Sequence, residues 1–144
     1  MIAVDTNILV YAHRQESPDY QPAARRVREL AEGQARWAIP WPCIHEFISV
    51  VTRPRLYDPP TGLAHAIDQV NIWFESPELE LLGESGDHWT RFAALALAAR
   101  SASFRVYDAR IVAICLANGV RELWSADRDF SRFPGLRVVN PLVR

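Results

Sequence analysis

The feature that most constrains this chain is an alternation. Short β-rich apolar runs at 2–4, 36–39, 78–82 and 120–125 are separated by stretches whose apolar residues recur at helical spacing, and Pro134 and Gly135 turn the chain into a last run at 136–139. Ile8, Leu9, Tyr11 and Ala12 suit one side of a short helix, and Tyr20, Ala24, Val27, Leu30 and Ala31 form the stripe of a longer one that ends near Gly33. Ile44, Phe47, Ile48 and Val51 predict a third helix from about Pro42 to Thr52, and a fourth, capped by Thr61, carries Leu63, Ile67, Val70 and Phe74. An alanine-rich helix follows from Asp87 to about Ser101, and a last one bears Ile111, Val112, Cys115 and Leu116. So many alanines permit close helix approach, either in the core or across a subunit interface. Strands that alternate with helices pair in parallel, with helices on both faces of the sheet. The class is therefore α/β; the strand order is not readable from the pattern.

A length of 144 residues with 49% hydrophobic content suits a single domain spanning 1–144 with a substantial core. A net charge of −1 provides no global field to draw in nucleic acid, so any such contact must use a local patch. All 16 basic residues are arginine. Arginine suits phosphate through its planar fork, but a GC-rich genome produces the same bias, so composition alone does not argue for a nucleic-acid ligand. Cys43 and Cys115 fit no zinc or redox spacing and read as buried free thiols. No apolar run is long enough to span a bilayer and no leader pattern precedes Asp5, so a cytoplasmic protein is expected, without a membrane partner.

The chemistry collects on four acids. Asp5, followed by Thr6 and Asn7, sits where the first strand hands over to a helix; Asp127 follows the fourth strand; Asp108 opens the last long helix; Glu46 lies one turn into the helix after the second strand. In an open parallel sheet, these positions share the carboxyl edge where ligands bind. Each Asp also reads as an ordinary helix or turn cap, and Glu46 as a surface acid. If the four converge, they repel by on the order of a few kcal/mol per pair at about 4 Å, and a proton or a cation must relieve them. Oxygen donors without imidazole or thiolate suit Mg²⁺ or Mn²⁺. Such an ion activates water and stabilises a leaving oxygen, so phosphodiester hydrolysis is the economical reading.

Other chemistry is poorly supplied. His13, His45, His65 and His88 lack metal-motif spacing, no serine sits in a nucleophile elbow, and there is no phosphate-cradling glycine loop. Asp5 as a phospho-accepting nucleophile, as in a receiver domain, would call for a lysine that the chain lacks.

Asp5-Thr6-Asn7, Glu46, Tyr107-Asp108-Ala109 and the run from Ser125 to Phe130 together resemble the PIN-domain family, in particular the VapC-type toxin ribonucleases of bacterial toxin–antitoxin pairs. The resemblance implies a three-layer α/β/α fold with a five-stranded parallel sheet in order 3-2-1-4-5. It implies a Mg²⁺- or Mn²⁺-dependent endoribonuclease in which Asp5, Glu46, Asp108 and Asp127 form the acidic quartet. Asp5 and Asp108 would be the firmest metal ligands. Asp127 would help to hold a second ion or waters, and Glu46 would orient water or act as a base. Asn7 and Ser125 would fix the carboxylates, while Asp129 caps the turn into Phe130. The expected partners are an RNA substrate, a small antitoxin whose tail blocks the acidic groove, and a second copy of the chain. Arg14, Arg53, Arg55 and Arg110 are the candidates for phosphate contact. Two alternatives stay open: a housekeeping PIN nuclease in RNA processing, and a non-catalytic module whose acidic groove grips an arginine-bearing partner.

Overall fold

A computed structural model describes residues 1–143; Arg144, the last residue of the expected domain, lies outside the described residues. Five strands form one sheet: β1 (Ile2–Val4), β2 (Trp37–Pro40), β3 (Leu79–Leu82), β4 (Glu122–Trp124) and β5 (Arg137–Val139). Their order is β3-β2-β1-β4-β5, as the resemblance implied, and every ladder is parallel. All four residues of β2 are buried, as are Ala3, Val4, Leu123 and Trp124 in the other central strands. Successive strand side chains point to opposite faces, so burial of consecutive residues means that both faces are covered.

The covering helices are α1 (Thr6–His13), α2 (Tyr20–Glu32), α3 (Trp41–Val51), α4 (Leu63–Phe74), α5 (His88–Ala98) and α6 (Val106–Ala117). The core fills with Trp37, Phe47, Phe130, Ile8, Leu9, Ile39, Ile114 and Leu123, all fully enclosed. Phe47 meets His13 and Trp73 edge-on, at ring-centroid distances of 5.3 and 4.9 Å. Trp37 Nε1 donates to Ser76 Oγ, so the indole that packs the sheet also satisfies its own polar atom. Cys43 and Cys115 are buried free thiols, as expected. Among the described residues no helix is long and apolar enough to cross a membrane.

Three local expectations change. The inward side of α4 is Ala66, Val70 and Trp73, whereas Leu63, Ile67 and Phe74 face solvent. Helical spacing defines two competing apolar faces here, and the bulk of Trp73 against Phe47 selects the one that packs. Thr61 does not cap α4: Gly62 holds the N-cap position, and the Thr61 hydroxyl meets His13 and Arg14 instead. Asp108 does not open α6. A 3₁₀ turn (Ser103–Arg105) runs directly into the helix, so Asp108 stands in its first turn. The alanine-rich α5 packs against α6; its Leu95 is buried in the core, Phe92 and Ala96 pack partly buried against it, and Trp89 and Leu97 are exposed.

Candidate active site at the carboxyl edge of the sheet

Asp5 leaves β1 as the N-cap of α1, with backbone angles outside the helix and Oδ1 accepting from Thr6 N–H at 2.8 Å. The ordinary capping role is thus real, and it aims the carboxylate at the sheet edge. Because β1 lies beside β4, the Asp5 amide reaches the Trp124 carbonyl at 2.9 Å, and the two strand ends are locked together. Ser125 Oγ donates to Asp5 Oδ2 at 2.8 Å and accepts from Asp127 N–H at 3.0 Å. Asn7 Nδ2 donates to both Asp5 Oδ2 and Ser125 Oγ, at 3.2 and 3.1 Å, while Asn7 Oδ1 accepts from Ala126 N–H. Asn7 and Ser125 therefore tie residues about 120 positions apart into one network around the Asp5 carboxylate.

Asp5, Glu46, Asp108 and Asp127 line a single hollow of about 240 Å³. Asp5 is buried, and burial pushes its pKa up to about 6; Ser125 and Thr6 pull the other way and Glu46 adds to the rise. Asp108 is also raised to about 6, by burial first and then by Asp127 and Asp129. Glu46 counts among the exposed residues of α3, yet the hollow desolvates its carboxylate enough to raise its pKa, with Arg53 opposing. The Cys43 thiol, on the turn of α3 before Glu46, approaches Asp5 Oδ1 at 3.6 Å; burial raises its pKa well above the usual range and Asp5 adds to that.

The acids share the hollow but do not converge as tightly as expected. Among the described residues no group of three or more His, Cys, Asp or Glu is drawn together into a finished ion shell. In kind, the walls still fit a hard divalent ion. They carry four carboxylates, neither histidine nor cysteine is among them, and the buried Thr6 Oγ1 has no hydrogen-bond partner among the described residues.

Two further assignments move. Asp127, not Asp129, caps the turn into Phe130: its Oδ1 accepts from Asp129 N–H at 2.9 Å at the start of the 3₁₀ turn Arg128–Arg132. Asp129 instead pairs with Arg105. Of the arginines suggested for phosphate, Arg14 is buried and engaged with Glu16, Thr61 and the Pro59 carbonyl, and Arg110 is tied to Glu84. Arg53 and Arg55 are exposed, and Arg53 acts on Glu46. The hollow also uses Tyr11, Tyr57 and Tyr107 as walls. Tyr11 follows Asn7 by one helical turn, a spacing that signals a shared face; Tyr57, in a proline-broken loop, carried no such signal.

A parallel sheet in this order, with four acids at its carboxyl edge, defines a PIN-type nuclease architecture. The chain belongs to the PIN-domain family, whose pattern matches residues 2–136. Within that family it is 33% identical to the ribonuclease VapC43 of Mycobacterium tuberculosis over 142 residues, covering 99% of this chain and 96% of the relative. It is 28% identical over 137 residues to the ribonuclease VapC48 of the same organism, covering 95% and 94% of the two chains. The fold is shared with M. tuberculosis VapC20, a toxin that cleaves the sarcin-ricin loop (TM-score 0.69, 16% identity, 95% and 99% covered). It is also shared with VapBC2 of Rickettsia felis, solved bound to a promoter DNA fragment (TM-score 0.68, 19% identity, 96% and 98% covered).

Proposed function

We propose that this protein is a divalent-metal-dependent endoribonuclease and the toxin of a toxin–antitoxin pair. The observation that carries this reading is the placement of Asp5, Glu46, Asp108 and Asp127 around one hollow in a chain whose relatives are VapC ribonucleases. Asp5 and Asp108 are the residues that would hold a Mg²⁺ or Mn²⁺ ion most firmly, with Asp127 holding waters or a second ion. Such an ion would polarise a phosphate oxygen and lower the pKa of an attacking water. The protein's own part is orientation. Ser125 and Asn7 fix the Asp5 carboxylate, the Ser125 hydroxyl also sets the backbone at Asp127, and Glu46, an exposed residue of the same hollow, would take a proton from water.

The partner reading is supported by surface chemistry. Leu63, Ile67, Ile72 and Phe74 on α4 are exposed, together with Trp41 at the start of α3, which meets Phe74 at 6.0 Å. An apolar surface of this kind suits a protein partner, and the antitoxin and a second copy of the chain are the two proposed.

Incubation of the purified protein with an RNA pool tests the activity. Cleavage should require Mn²⁺ or Mg²⁺, stop on chelation, and be lost in folded Asp5→Asn and Asp108→Asn variants. A folded, active variant at either position would remove the assignment. Sequencing the new RNA ends would define the cut. Co-purification with the product of the adjacent reading frame, against sizing of the protein alone, separates the toxin reading from a housekeeping nuclease. Tight partner binding without any metal-stimulated cleavage would leave a non-catalytic module.

A further inference from the structure

The hollow that holds the carboxylates also gathers tyrosines. Of the chain's four, three line it: Tyr11 from α1, Tyr57 from the loop after α3, and Tyr107 from α6. Tyr107 is 62% exposed, a large ring left at the mouth of a charged site. Tyr57 is only partly exposed, and its ring is braced. The Arg14 guanidinium lies 4.5 Å from the ring centroid, and Arg14 itself is not a wall of the hollow. Each of its three nitrogens is held: Nη1 by Thr61 Oγ1 and Nη2 by the Pro59 carbonyl, both at 2.9 Å, and Nε by Glu16 at 2.6 Å. A planar cation held at Nε, Nη1 and Nη2 thus covers Tyr57 from outside the hollow and pins the loop that carries it.

Acidic walls offer an RNA backbone little of their own, so beyond the ion and the exposed Arg53 and Arg55 the contact available is uncharged surface. Aromatic faces supply it by stacking on bases, with tolerance for sequence. A base inside a duplex already has both faces covered, so only an unpaired base can use such a ring. We propose that Tyr57 and Tyr107 are the base-stacking platforms of this site, gripping unpaired nucleotides beside the scissile phosphate, and that Arg14 is a positioning residue holding the Tyr57 ring. The identity of the strand rests on the ribonuclease reading; the stacking itself does not require turnover.

The test uses short single-stranded RNAs with 2-aminopurine at successive positions, mixed with the intact protein in chelator at low salt. Fluorescence should be quenched at particular positions. Tyr57→Ala and Tyr107→Ala should each bind about 5- to 150-fold more weakly and lose quenching at a different position, while Tyr57→Phe and Tyr107→Phe behave as wild type. Arg14→Lys, checked for folding by its melting curve, should lose the Tyr57-dependent quenching, because an ammonium cannot stack as a guanidinium does. A duplex of the same sequence should fail to compete. Folded alanine variants that bind and quench normally, phenylalanine variants as weak as alanine, or the absence of quenching with wild type would overturn the platforms. A folded Arg14→Lys with unchanged quenching would overturn the brace. Failure to cleave any RNA would instead strike the nuclease reading, because this experiment is read without cleavage.

Discussion

Replacing Asp5 with asparagine keeps the shape of a buried side chain and removes its charge, which isolates what that charge costs the fold. The Asp5 pKa stands at about 6 against an ordinary 3.8, with burial the leading cause. An acid whose folded pKa lies above its unfolded value holds its proton more tightly when folded. Stability therefore falls as pH rises from about 4 to about 6. Two pH units correspond to roughly 3 kcal/mol lost by the wild type above that window. Asparagine escapes this loss. Against it, Ser125 Oγ and Asn7 Nδ2 both donate to Oδ2, and an amide nitrogen there would meet two donors; lost hydrogen bonds cost about 1 kcal/mol each. In chelator at pH 7.5, Asp5→Asn should be more stable than wild type by about 1–2 kcal/mol, a rise in melting temperature of very roughly 2–8 °C for a chain of this size. At pH 4 the advantage should vanish or reverse. Urea unfolding of both proteins across this range measures the difference directly, and Mn²⁺ should narrow the gap at pH 7.5 by stabilising the wild type more. A variant less stable by the same amount at both pH values would refute the reasoning, because it would show that the Asp5 charge carries no desolvation cost.

Metal-dependent cleavage should fall as pH drops through about 6, because protons then compete for Asp5 and Asp108; a pH–rate profile flat down to 5 would contradict this. Ser125→Ala leaves the Asp127 amide and Asp5 Oδ2 without their shared partner. It should cost about 1–3 kcal/mol in denaturant unfolding and about 10- to 100-fold in Mn²⁺ affinity by titration. Phe47→Ala opens the core beneath His13 and Trp73, and should destabilise by about 3–5 kcal/mol in the same unfolding assay.

Much of this molecule was legible in the order of its residues. Strand–helix alternation carried the α/β class, and the short segments near Asp5, Asp108 and Asp127 carried the acids and the family likeness. Those signals are local, held by neighbours within a turn or a strand. What α4 turns inward was not legible, because Leu63 and Ile67 compete with Ala66 and Trp73 at the same helical spacing, and only the packing of Trp73 against Phe47 decides between them. Nor was the work of Arg14: the same side chain would suit phosphate, but the return of the 53–61 loop buries it against Tyr57 and Thr61.

The sequence by itself determined the elements and the acids, because propensity, periodicity and capping act between residues a few positions apart. Only the tertiary structure decided which distant groups meet. Asp5 touches Ser125 because β1 lies beside β4, and Glu46 joins them because α3 rises from the adjacent β2. Strand pairing fixes those neighbours through main-chain hydrogen bonds, which carry no mark of the side chains they bring together.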